Sequence, residues 1–243
     1  MLFTLWNEKP IIGRSYTFTT CDVEPAILAR NVFLLSLLLS DAFVDVSTTE
    51  KQSICWELYY HTVISAKAMA ALRNHLILLL DNAQTAEKWN ASTYGAHLKF
   101  LSKSTLGDVR KLFRMYLDAC VEPRSGHEVQ EECREVFSQR GFGGEGLFLH
   151  GGRCAGIHAL SSKATEALSD AFRGYWRTGV VAGNQCDVSA LETDHGGFTN
   201  PLLRLSSAPL GNFALHYGSD PLLGYHLAAV FDDEPKTDSA IGD

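Results

Sequence analysis

The chain has 243 residues, 46% hydrophobic and 20% charged, the make-up of an ordinary globular protein with enough apolar material for a sizeable core. Its formal charge of -7 and pI near 5.7 provide no concentrated basic surface, so nucleic acid and acidic membranes are not expected partners. The six cysteines, Cys21, Cys55, Cys120, Cys133, Cys154 and Cys186, contain no C-x-x-C pair, which sets aside a zinc finger or a redox motif. They read as free, mostly buried thiols. With no secretory pattern at the N-terminus, they predict a cytoplasmic protein, in which Asn90-Ala91-Ser92 is a chance sequon.

Met1–Leu5 reads as the end of a helix, and Asn7–Gly13 as a polar connection. Ser15–Ser40, SYTFTTCDVEPAILARNVFLLSLLLS, then reads as one β-turn-α unit around which the chain is organised. Tyr16 and Phe18 with the intervening threonines suit a pleated surface, Asp22 closes the strand, and Pro25 suits a first helical turn. Ala26–Leu39 is apolar on nearly all sides, so the reading places the whole helix, Leu35 included, in the core. It is too short for the roughly 20 apolar residues of a membrane span and contains Arg30 and Asn31, so no membrane insertion is expected.

Ser47-x-x-Glu50 is a capping box opening a helix over about Thr48–Thr62, and the apolar series from Met69 to Leu80 marks a second from Ser65 to Asp81-Asn82. The two are expected to form a hairpin. Ala83–Gly95 reads as a loop with at most a short helix, anchored by Trp89 and Tyr94, and HLKFL at 97–101 alternates like a strand. Thr105-x-x-Asp108 predicts a helix start before Leu106, Val109, Phe113 and Tyr116, and Ser125-x-x-Glu128 opens another that Gly141 stops. The glycine-rich segment 141–156 is the candidate internal boundary. Ala164–Trp176 reads as helix, Val180–Gly197 as irregular, Leu202–Tyr217 as a possible strand, Asp220–Phe231 as helix, and 232–243 as a disordered acidic tail. A single domain over 1–231 follows.

Asp22 has two readings, as the acid that accepts ribose hydroxyls at a strand end, or as a cap of the next helix. The first needs a glycine loop about 20 residues earlier, which would fall at or before Met1. Arg30, inside an apolar helix, requires a carboxylate or carbonyl partner, with Asp22, Glu24 or a distant acid expected, and Asn31 is expected to hold a neighbouring loop. His150-Gly151-Gly152 is reminiscent of an oxyanion loop, but the chain has no G-x-S-x-G elbow. His195, His216 and His226 lie near Asp194 and Asp220 without H-x-x-x-H spacing, so no metal site is expected. Arg110, Lys111 and Arg114 form a basic helix face, expected to be solvated.

Four segments, YTFTTCDVEPAILARNVFLL, HLKFL, YWRTGVV and HYGSDPLLGYHLAA, resemble the fungal domain-of-unknown-function family 4470, often associated with a MYND zinc finger. They are more distantly similar to the N-terminal region of dynein axonemal assembly factor 3, and the likeness is read over most of 1–231. The resemblance implies a Rossmann-like, methyltransferase-like core whose first strand and glycine loop would precede Leu2-Phe3-Thr4-Leu5, and whose cofactor, if retained, is S-adenosylmethionine at Asp22 and Glu24. The expectation is a mainly helical α/β domain with a small sheet and a truncated Rossmann-like core. It is expected to act without a cofactor or catalytic residues as a protein-interaction or assembly domain, with S-adenosylmethionine-dependent methyl transfer or cofactor binding as the alternative.

Overall fold

The structure, a computed structural model, describes residues 17–22, 25–40, 46–121, 123, 125, 127–128, 180 and 197–203. In chain order these form α1 (Pro25–Leu38), α2 (Thr48–Tyr60), β1 (Val63–Ile64), α3 (Ala66–Asn82), α4 (Ala86–Ala91), α5 (Lys103–Val121) and β2 (Phe198–Thr199). Short 3-10 turns lie at Tyr94–Ala96 and Pro201–Leu203. The architecture is mainly helical. The described sheet is a two-stranded antiparallel pair with Val63 opposite Thr199 and Ile64 opposite Phe198.

Serine hydroxyls start three of the helices. Ser47 Oγ accepts from Glu50 N at 3.3 Å ahead of α2, and Ser65 Oγ accepts from Ala68 N at 3.2 Å ahead of α3. The α2–α3 corner is closed by Glu57, whose carboxylate accepts from Ser65 N at 2.8 Å. Helix α5 starts earlier than the Thr105 cap predicts. Ser102 Oγ accepts from Thr105 N at 3.0 Å, so the acceptor lies three residues upstream and Thr105 belongs to the first turn.

The core is a seam of helix faces. Helix α5 packs on α1, α3 and the 201–203 turn, while α3 also packs on α1 and α2. Phe33 and Leu37 of α1, Leu58 of α2, Leu72, Leu76 and Leu79 of α3, Val109 and Phe113 of α5, and Leu202 are all fully enclosed. The organising element is thus the α3–α5 pair as much as α1.

Helix α1 departs from the expectation of all-round burial. Its buried positions are Ala26, Ala29, Arg30, Phe33, Ser36 and Leu37, a single stripe at three- and four-residue spacing. Leu35 is half-buried, and Leu38 and Leu39 are 46% and 36% exposed. An apolar residue at almost every position hides the stripe, because periodicity is visible only where polar residues interrupt it.

Two strand expectations fail for related reasons. Residues 17–22 are irregular, and Phe18 remains 37% exposed, so its pleated pattern has no covered face there. HLKFL is a loop: Leu98 and Phe100 lean on the core from an irregular backbone, while Leu101 is 91% exposed. Among the described residues after Val180, Phe198–Thr199 form a strand entered from Gly197 at a positive φ of 66°, and Leu202–Leu203 lie in a 3-10 turn, the rest of the Leu202–Tyr217 reading lying outside the described residues. Two-residue strands leave no period to read in a sequence.

Asn200 holds this distant segment in place. Its Nδ2 donates to Leu58 O at 3.0 Å and His61 O at 2.8 Å, its Oδ1 accepts from Leu202 N at 3.1 Å, and its own N donates to Thr62 O at 2.8 Å. A buried amide with both side-chain ends satisfied is worth more than its surface, because removing it strands several backbone groups.

The 83–95 loop matches its expectation, with one short helix, and Trp89 and Tyr94 are its buried anchors. Trp89 Nε1 donates to Leu98 O at 2.7 Å. Gly95 sits so close to Trp89 that a Cβ there would lie 2.2 Å from Trp89 O, which only glycine avoids. The readings for Met1–Leu5, Asn7–Gly13, the 141–156 boundary, the 164–176 and 220–231 helices and the 232–243 tail lie outside the described residues, as does most of the helix read from Ser125.

Three substitutions test this arrangement by urea denaturation. Leu37→Ala is expected to cost about 2–5 kcal/mol and Leu35→Ala clearly less, a difference that two leucines of equal hydrophobicity do not show in sequence. Asn200→Ala is expected to cost about 3 kcal/mol or more, since it leaves two carbonyls and one N–H unpaired; a loss below about 1 kcal/mol would show that the segment is not held there.

Candidate functional site

The residues singled out from sequence fall in different settings. Asp22 is exposed at the end of the irregular 17–22 segment, and Glu24 lies outside the described residues. Arg30 lies on the buried stripe of α1 at 4% exposure. Its Nη2 donates to Tyr59 O, and its guanidinium carbon sits 4.6 Å from the centroid of the Tyr59 ring. Tyr59 O belongs to the last turn of α2, where unsatisfied carbonyls carry partial negative charge, so a cation is well placed there. The carbonyl partner that the sequence reading allowed is thus a helix-end carbonyl, with a ring face beside it. Asn31, next along α1, is half-buried.

Ser36 of α1 and His75 of α3 form a contact that sequence reading did not find. Ser36 Oγ lies 2.8 Å from His75 Nε2 and also 2.8 Å from Phe33 O. Since the hydroxyl donates to Phe33 O, the network assigns the imidazole proton to Nε2, leaving Nδ1 as a bare acceptor with no hydrogen-bond partner among the described residues. The ring sits edge-on to Phe33 at 5.1 Å and to Tyr94 at 5.7 Å. Burial pushes its pKa down to about 4. The pair has the atoms of a nucleophile and base, but Ser36 is 0% and His75 1% exposed, so neither meets a substrate. It joins α1 to α3.

Because His75 is kept neutral in the fold and titrates near 6.5 when unfolded, lowering the pH protonates the unfolded chain first. Stability held by this group is complete above about pH 6.5 and is lost between there and about pH 4, by about 2–3 kcal/mol. Urea midpoints at pH 7 and 4.5 are expected to converge by that amount in His75→Leu relative to the native chain; an unchanged difference would show that His75 does not carry the effect.

The site with open access is a groove of about 680 Å³ between the end of α3, the start of α4 and the first three turns of α5. Leu80, Ala83, Ala86 and Leu106 give it an apolar lining, to which Gln84 and Thr85 add polar groups. Lys103, Gly107, Arg110, Lys111 and Arg114 follow one side of α5, so the basic helix face read from the sequence borders a concavity. Nothing lies within 4 Å of where a Gly107 Cβ would point, so this mid-helix glycine keeps the groove open. Glu87 faces α5, its carboxyl held below the usual range by its own backbone N–H, by the Thr85 hydroxyl and by Lys103, whose Nζ is 3.3 Å away. Lys103, Leu106 and Gly107 could have been grouped with the arginines on helical spacing alone, but the opposite wall comes from another part of the chain.

Among the described residues, no cluster of three or more His, Cys, Asp or Glu is placed to hold a metal ion. Cys21 is an exposed, Cys55 a half-buried and Cys120 a buried free thiol, with burial raising the pKa of Cys55 and taking that of Cys120 up to about 11. His195, His216 and His226 lie outside the described residues.

Residues 1–64 match the family model described as Domain of unknown function (DUF4470). The matched stretch is about a quarter of the chain and takes in α1, α2 and β1. It includes YTFTTCDVEPAILARNVFLL, whereas HLKFL, YWRTGVV and HYGSDPLLGYHLAA fall beyond it, so the likeness is shorter than the sequence reading took it to be. No curated protein matches the chain, and no solved structure does. Arg30 and Tyr59 both lie in the matched stretch, and the groove lies wholly outside it.

Proposed function

We propose that the chain is a non-catalytic protein-interaction or assembly domain that docks its partner in the α3–α4–α5 groove. The observation that supports this is the groove itself, apolar along its floor, open to solvent and rimmed by exposed cations. Apolar centres with polar rims are how surfaces acquire affinity while staying soluble.

The reading includes no cofactor and places the protein in the cytoplasm of a fungal cell, the free cysteines and the family resemblance being its support. No helix among the described residues is long and apolar enough to cross a membrane. A degenerate methyltransferase-like ancestry and an association with MYND proteins belong to the same proposal, on the resemblance alone.

Photo-crosslinking tests it. A photoreactive residue at Gln84, on the groove, is expected to yield a discrete adduct from native lysate, while the same residue at Gln52, on the exposed side of α2, yields none. Gly107→Trp fills the open space and is expected to abolish the adduct. Equal labelling at both positions, or an adduct unchanged by Gly107→Trp, overturns the assignment to the groove. Heat on titrating S-adenosylmethionine into the chain would overturn the absence of a cofactor.

A further inference from the structure

Resting on the protein-interaction reading, we infer that the occupant of the groove is an acidic amphipathic helix of a partner protein, with two carboxylates one turn apart flanking an apolar stripe. The charge balance of the groove singles out that chemistry. On a chain of net charge -7, the groove is lined by Lys103, Arg110, Lys111 and Arg114 against one acid, Glu87. Lys103 is engaged by Glu87 at 3.3 Å, and Lys111 by Asp108 at 3.0 Å. Arg110 and Arg114 take part in none of the ion pairs among the described residues. Both are exposed on the side of α5 that lines the groove, and they stand four residues apart.

Residues four apart on a helix present side chains roughly 5–6 Å from one another, and the same spacing recurs on any partner helix. Two arginines so placed accept two carboxylates in parallel, each guanidinium offering a planar fork that matches a carboxylate. Between them and the opposite wall, Leu80, Ala83 and Leu106 supply an apolar floor, and Gly107 leaves room for a side chain to enter. The occupant therefore has acid on one edge and hydrocarbon beneath.

The groove's length favours a helix over a small anion. It continues past Lys103 into a second hollow of about 110 Å³ bordered by Trp89, Phe100 and Leu101, and Leu101 is 91% exposed. The run from Leu101 to Arg114 covers roughly 20 Å at helical rise, about three to four turns of a docked helix. Two free arginines are also far short of the six to ten phosphate contacts of a typical nucleic-acid binder.

Fluorescence anisotropy with the full chain tests the inference. The probe is a stapled, dye-labelled helix of about 14 residues carrying two glutamates four apart beside a leucine stripe. It is expected to bind, and the version with glutamine in place of both glutamates is expected to bind about tenfold more weakly or less, the loss of one to two charge-assisted contacts. In the double variant Arg110→Glu/Arg114→Glu, both sites being exposed, the acidic probe is expected to be lost and a probe with lysines at those positions to bind instead. Equal binding of the glutamate and glutamine probes, or an acidic probe indifferent to the double variant, overturns the inference. So does displacement of the probe by succinate at comparable concentration, which would make the groove a small-anion site. If no probe binds while the Gln84 adduct persists, the inference fails and the interaction reading stands; if both are absent, both fall.

Discussion

The seam where α1, α3 and α5 meet is what the described structure depends on, and it is not purely apolar. Phe33, Leu37, Leu72, Leu76, Leu79, Val109 and Phe113 fill it. Ser36 and His75 put one hydrogen bond inside it. Apolar surfaces can slide over one another with little penalty, whereas a buried imidazole has one position in which its N–H is satisfied. The pair therefore sets how α1 lies along α3, at the cost of keeping the ring neutral. Tyr116 of α5, whose hydroxyl is 3.5 Å from Ala26 O, adds a second polar tie to the same helix.

The groove is a consequence of that packing. Helices α3 and α5 pack on one another and are joined by the 83–102 connection, and the groove is the gap left between the end of α3, the start of α4 and the first turns of α5. Trp89 fills the inner part of this gap, stacking edge-on to Phe100 at 5.1 Å and closing against Leu98 O. Its small neighbours Ala83 and Ala86, with Gly107 across from them, leave the outer part open. The same tight turn that needs Gly95 positions the indole at the border of the smaller adjoining hollow.

Much of the helical framework was legible in local sequence. Ser47 announced its helix because a cap is a contact between residues three apart, and the α3 and α5 stripes showed because polar residues separate their apolar ones. Trp89 and Tyr94 were recognisable as loop anchors since large aromatics in a polar stretch have nowhere to go but inward. The failures have equally local causes. In α1 a leucine at nearly every position conceals which of them face inward, and in HLKFL a five-residue alternation records two packing contacts of a loop. The site was legible only as half of itself: the basic face of α5 was visible, but its meaning was not.

By itself the sequence located most of the described helices and the Ser47 cap, properties carried by neighbours along the chain. Only the tertiary structure decided that Arg30 reaches a helix-end carbonyl, that Asn200 holds its segment to residues about 140 positions away, that Ser36 meets His75, and that Arg110 and Arg114 overlook a groove. These depend on contacts between segments whose separation leaves no period, spacing or motif in the chain. A buried polar group shows its partner only when the fold has brought that partner to it.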